Sequence, residues 1–166
     1  SARLRIDPPG EGRYLPALHF EAATGVDVQA WLHVDPQRAW MVAGPVARYA
    51  FGARIDTPGS FEMAIETPAP GGALLLPLIQ PAAPDVPASL YLQLREGDRR
   101  QLLPGWLTSC AGDGVPVGDF LHWAGDLDRD GRADYVVRFG DNDGDVHLYL
   151  SSEADAGEWI ITPDHQ

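Results

Sequence analysis

The chain contains no lysine. Its twelve basic residues are all arginine, and they face 24 Asp and Glu for a net charge of −12 over 166 residues. Such a balance repels the phosphates of nucleic acids and the anionic face of a membrane, so neither is expected as a partner. Cysteine is nearly absent. Cys110 stands alone, so no disulfide closes within the chain, and it reads as a small buried apolar residue. No apolar run is long enough to span a bilayer, so no membrane insertion is expected. No leader-like segment reads at Ser1, and a lipid anchor ahead of Ser1 is left open.

Familiar catalytic signatures are missing too. There is no His-Glu-x-x-His, Gly-x-Ser-x-Gly, phosphate-cradling glycine loop or Cys-x-x-Cys. The five histidines, His19, His33, His122, His147 and His165, lack close metal-ligand spacing. No pair of carboxylates is singled out for glycoside cleavage. The expectation is a protein that is not an enzyme and has no catalytic residues.

Long helices are also excluded. Fifteen prolines and eighteen glycines interrupt the chain, with short apolar or alternating runs between them. Such runs are Tyr14 to Ala22, Val26 to Val34, Phe61 to Glu66, Ala73 to Ile79 and Leu90 to Leu94. Phe61 to Glu66 alternates apolar and polar residues, as a half-exposed strand does. Ser89 to Leu94, Glu96-Gly97-Asp98 and Arg99 to Leu103 read as a hairpin. Pro68 to Gly72 and Pro81 to Pro87 read as exposed loops. At most one short helix fits, over Pro36 to Ala43, with Asp35 as its cap. The expected fold is all-β and mainly antiparallel, a β-sandwich or propeller-like sheet. No internal repeat supports a multi-blade propeller. Residues 1–166 form a single β domain, with a distinctive C-terminal region at about 113–162.

That region holds most of the chemistry. Residues 126 to 134 read Asp-Leu-Asp-Arg-Asp-Gly-Arg-Ala-Asp. Ca²⁺ takes about 6–8 oxygen ligands, and alternating carboxylates on a short loop can wrap it. Gly131 permits the sharp turn that returns the later ligands to the ion. The expected ligands are the side chains of Asp126, Asp128 and Asp130, the backbone carbonyl of Arg132, and the side chain of Asp134. Without a cation these carboxylates would repel one another. An EF-hand is excluded, because its twelfth position would be Val137 rather than Glu. The flanks Phe120 to Ala124 and Tyr135 to Phe139 read as strands. The loop is similar to the strand–loop–strand calcium loops of integrin-type FG-GAP repeats. Calcium loops of about millimolar to micromolar affinity fill best outside the cytosol, so a periplasmic or secreted protein is expected.

A second acidic stretch, Gly140-Asp141-Asn142-Asp143-Gly144-Asp145, precedes the strand-like Val146 to Leu150. Asp143-Gly144 is a hairpin-turn signal. The tip reads as a polar turn, as a second cation contact or as a partner-binding element.

Leu121 to Tyr135, followed by Leu148-Tyr149-Leu150-Ser151-Ser152-Glu153-Ala154, resembles the C-terminal part of certain bacterial periplasmic immunity proteins. Those are similar in fold to invertebrate-type lysozyme inhibitors. The resemblance implies a periplasmic inhibitor that neutralises a peptidoglycan hydrolase effector delivered by the secretion system of a rival cell. In that family the loop between these blocks usually carries a His-Tyr-Asn-type segment, where this chain has Gly140 to Asp145. Partner contacts are then expected from Asp141, Asn142, Asp143, Asp145 and His147. The competing expectation is a carbohydrate- or peptidoglycan-binding module, with Trp31, Trp40, Trp106, Trp123 or Trp159 stacking on sugar rings.

Overall fold

Strands form where the sequence alternates. In a computed structural model, the described residues are 2–7, 17–22, 27–29, 42–57, 60–80, 89–103, 120–138 and 146–152. They contain twelve strands and no helix: β1 (Ala2–Asp7), β2 (Ala17–Ala22), β3 (Asp27–Gln29), β4 (Gly44–Arg48), β5 (Phe51–Thr57), β6 (Ser60–Ile65), β7 (Ala73–Gln80), β8 (Ser89–Glu96), β9 (Arg99–Leu102), β10 (Leu121–Asp126), β11 (Asp134–Arg138) and β12 (Val146–Tyr149). Among the described residues, no helix is long and apolar enough to cross a membrane.

The strands make two antiparallel sheets. One runs β12-β11-β10-β4-β1-β2-β3, and the other runs β5-β6-β7-β8-β9. The all-β expectation therefore holds, as does the hairpin turning at Gly97-Asp98. The Pro68 to Gly72 loop joins β6 to β7. Pro77 lies within β7 opposite Leu92, beyond the part of β7 that pairs with β6. Its missing N–H thus breaks no described ladder bond.

The expected helix over Pro36 to Ala43 is not supported where it can be seen. Val42 and Ala43 are non-helical, and Gly44 already begins β4; residues 36–41 lie outside the described set. At Val42 and Ala43, the proline that follows Gly44 and the pull of a neighbouring strand outweigh the weak helical signal. The Pro81 to Pro87 loop and Cys110 also fall outside the described residues.

β4 and β5 are nearly continuous and carry the chain from one sheet to the other. At the junction, Tyr49 N donates to Ala124 O (2.8 Å), while Glu66 N donates to Ala50 O (2.8 Å). The first bond belongs to the β10 side and the second to the β6 side. The main core fills the space between the sheets. Ile65, Leu92 and Leu94 from one sheet meet Leu121, Tyr135 and Val137 from the other. Each large apolar side chain fully buried there contributes about 1.5–3 kcal/mol. Trp123, Val136 and Leu148 are also fully buried but stand outside that cluster, so β10 to β12 are covered on both faces.

Candidate metal centre

The Asp126–Asp134 loop joins two paired strands. Gly125 lies opposite Asp134 in the β10–β11 ladder, while Asp126 lies opposite Ala47 on the β4 side. A Cβ at Gly125 would collide with the Ala47 carbonyl oxygen and the Trp123 ring, so only glycine allows this close approach. The loop is pinned at both ends by buried apolar residues, Leu127 and Ala133. Between them Asp128 is half-buried and Asp130 exposed, and Asp126, just ahead of Leu127, is half-buried.

Each of the three alternating aspartates spends one oxygen on the loop's own backbone. Asp128 Oδ1 accepts from Asp130 N (3.2 Å), Asp130 Oδ1 from Arg132 N (2.8 Å) and Asp126 Oδ2 from Gly131 N (3.0 Å). Gly131 has φ +84°, the left-handed turn expected of it. These bonds leave Asp126 Oδ1 and Asp128 Oδ2 buried, while Asp130 Oδ2 turns to Ser151 and Arg132. Asp126, Asp128 and Asp130 each offer an oxygen, and the three lie within 4.8 Å of one another. This cluster can hold a metal ion. Among the described residues, no other group of three His, Cys, Asp or Glu side chains converges in this way.

Two of the oxygens are stranded. Asp126 Oδ1 and Asp128 Oδ2 are buried and find no hydrogen-bond donor. A buried acceptor left unmet costs about 1–3 kcal/mol, and more when it is charged. Burial pushes the Asp128 carboxyl above its ordinary pKa, and the charges of Asp130 and Asp126 add to this, against the opposing Ser152 side chain and Asp130 N–H. The same negative field reaches Tyr49. Its hydroxyl pKa is raised first by burial and then by Asp126, Asp134 and Asp130.

Asp130 differs. Burial raises its pKa, but the Arg132 N–H, the Ser151 hydroxyl and the Arg132 guanidinium outweigh that and leave it lowered. Asp130 Oδ2 accepts from Ser151 Oγ (2.9 Å) and Arg132 Nε (2.9 Å), with Arg132 Nη2 at 2.8 Å. Arg132, expected as a carbonyl ligand, thus acts visibly through its side chain as a counter-ion.

Asp134, expected as the fifth ligand, lies outside the three-carboxylate cluster. It is 0% exposed and clamps three backbone groups. Oδ2 accepts from Leu127 N (2.6 Å) and Asp128 N (3.4 Å), and Oδ1 accepts from Ser151 N (2.8 Å). Burial pushes its pKa up to about 7; the charge of Asp128 adds to this, and the N–H groups of Ser151 and Leu127 oppose it. Asp134 therefore ties the start of the loop to the residue that follows β12.

Ser151 and Arg129 also enter the site, although neither was expected there. Ser151 is placed by register. Tyr135 pairs with Tyr149, and two residues further on Ser151 comes opposite Ala133, beside Asp134. The Leu-x-Leu-Ser-Ser pattern held that signal, but only the pairing of β11 with β12 gives it meaning.

The expected partner-binding residues Asp141, Asn142, Asp143 and Asp145 lie outside the described residues. Their segment connects two antiparallel neighbours, β11 and β12. His147 is half-buried, its ring 6.4 Å from that of Tyr149 and inclined by 29°. Trp123 is fully buried and offers no sugar platform, while Trp31, Trp40, Trp106 and Trp159 lie outside the described residues. No family model matches the chain, and no curated protein or solved structure matches it either.

Proposed function

We propose that this chain is a Ca²⁺-braced β protein of the periplasm that binds and neutralises a peptidoglycan hydrolase. The observation that carries the metal half is the pair of stranded carboxylate oxygens on Asp126 and Asp128, beside Asp130 in one small cluster. A divalent cation answers both the unmet acceptors and the mutual repulsion. The donor set is all oxygen, which selects hard ions over zinc or copper. Ca²⁺ suits an irregular loop of this kind better than Mg²⁺, which demands near-ideal octahedral geometry. Asp126, Asp128 and Asp130 hold the ion, and Asp134 fixes the loop around it.

The inhibitor half draws on charge, rigidity and resemblance. A net charge of −12 steers the protein towards a basic enzyme. An ion at the base of β11 stiffens the paired strands β11 and β12 that residues 139–145 connect, so less ordering entropy is lost on docking. Residues 121–135 and 148–154 resemble periplasmic immunity proteins that block lysozyme-like enzymes.

The test is an affinity pull-down with this protein as bait, in Ca²⁺ and in EDTA, against secreted bacterial proteins. Recovery of one peptidoglycan hydrolase, weakened in EDTA, is expected. Retention of murein fragments with no protein partner in either buffer would overturn the inhibitor and leave a glycan-binding module.

A further inference from the structure

The carboxylate loop is attached to β4 twice, and ion binding by itself calls for neither attachment. The first is the backbone ladder at Ala47 and Arg48. The second is a side chain, Arg129, between the second and third carboxylates. Its Nη2 donates to Val42 O (2.9 Å), and its Nε lies 3.4 Å from Pro45 O as a second, longer donor. This links the loop to residues 84 and 87 positions earlier in the chain. The ladder touches the half of β4 that faces β10. Arg129 reaches the other half, where Gly44, Pro45 and Val46 pair with Leu4, Arg3 and Ala2 of β1.

Arg129 is also the only non-glycine residue with positive φ (66°) among the described residues. That conformation is disfavoured for a side chain bearing a Cβ and persists only when the surroundings enforce it. The flanking residues enforce it here. Asp128 Oδ1 binds Asp130 N across Arg129, and both carboxylates belong to the ion cluster. Whatever fixes Asp128 and Asp130 therefore fixes the direction in which Arg129 leaves the loop.

We infer that Arg129 is a positioning residue that couples the cation site to the β1–β4 pairing. The inference rests on the ion-site reading above. A bound cation locks Asp128 and Asp130, so the guanidinium stays on the Val42 and Pro45 carbonyls. Without the ion, carboxylate repulsion loosens the loop and the latch opens. Linkage makes the effect mutual: a closed latch tightens ion binding by the same factor by which the ion tightens the latch. Arginine suits the task because its planar fork serves two carbonyls, whereas lysine presents a single compact charge.

Charge alone predicts the opposite sign. Arg129 is a cation beside a cation site, so its removal should strengthen Ca²⁺ binding if it acts only through its field. As a latch, its removal weakens binding. The experiment is calorimetric Ca²⁺ titration of the full chain, with hydrogen exchange of the amides of residues 2–4, Gly44 and Val46 in Ca²⁺ and in EDTA. Wild type, R129A, R129K and R129G are compared. In the wild type, Ca²⁺ should slow exchange at these amides on the order of tenfold. In R129A, Ca²⁺ should bind about five- to tenfold more weakly, and the added protection should vanish. R129K should recover part of both. R129G, which relieves the backbone strain, should still lack the protection.

Equal or tighter Ca²⁺ binding in R129A, with protection undiminished, would overturn the coupling and leave the ion site standing. Absence of Ca²⁺ binding in the wild type would overturn the ion-site reading, and the coupling with it.

Discussion

The two sheets bury their strands differently. In β6 and β8, buried residues alternate with half-exposed ones: Met63 and Ile65 are in and Glu62 and Ala64 are out, while Leu92 and Leu94 are in and Gln93 and Arg95 are out. In β11, Asp134, Tyr135, Val136 and Val137 are all buried. The first pattern needs only apolar contacts on one face. The second takes a carboxylate out of water and must find partners for it. Asp134 obtains three backbone N–H groups, and the neighbouring aspartates retain two oxygens with none. An ordinary core and a carboxylate cluster that could hold a metal ion thus lie side by side in one fold.

The sharpest way to break this contrast is to damage each region and ask whether calcium notices. Leu94→Ala should cost about 3 kcal/mol, through lost burial and a cavity. Denaturant unfolding should give the same loss in Ca²⁺ and in EDTA. The acidic region should behave otherwise. Ca²⁺ at about 100 times its Kd should add about 2.7 kcal/mol to the wild type and nothing to Asp128→Asn. A thermal melt with and without EDTA reads this directly.

Asp134→Asn should follow, at about 2 kcal/mol in Ca²⁺, because one backbone N–H then faces an amide N–H instead of an oxygen. In EDTA the loss should be smaller, since the substitution also removes a buried charge. The pH dependence sharpens the same point. Asp134 has its folded pKa raised to about 7 from an ordinary value of 3.8. The folded state therefore holds this proton more tightly than the unfolded chain does. The stability it lends is fully present below about pH 4 and is lost as the pH rises through about 7. Melting midpoints in EDTA should fall over that range, and the raised Asp128 adds to the fall, whereas the lowered Asp130 acts only below about pH 4. Saturating Ca²⁺ should flatten the slope.

The smallest stability change is expected from replacing Asp141, Asn142 and Asp143 together, within about 0.5 kcal/mol. Affinity for the cognate hydrolase should nevertheless drop at least about tenfold. Intact binding in that variant would remove residues 141–143 from the inhibitor account.

Much of the alternating sheet could be read from the sequence, because a period of two residues is a local property. Phe61 to Glu66 and the hairpin turning at Gly97-Asp98 needed no knowledge of their neighbours. The three alternating aspartates were equally legible, since their spacing is itself the geometry. The helix expected over Pro36 to Ala43 fails at its described end, because Val42 and Ala43 lead into a strand that two others claim. Asp134 looked like one more ligand, and its role as a clamp emerges only when Ser151 arrives from β12. Arg129 gave no signal, because its partners Val42 and Pro45 are distant in the chain and contribute only backbone carbonyls. Local chemistry was visible, while attachments across strands were not.

The hard divalent cation proposed at Asp126, Asp128 and Asp130 would brace the β10–β11 hairpin. The most direct test of this proposal is a calorimetric Ca²⁺ titration of EDTA-stripped protein, wild type beside Asp128→Asn. One site in the wild type, lost or weakened at least about tenfold in the variant, is the predicted result. No binding up to millimolar Ca²⁺, with an unchanged melting midpoint, would contradict it.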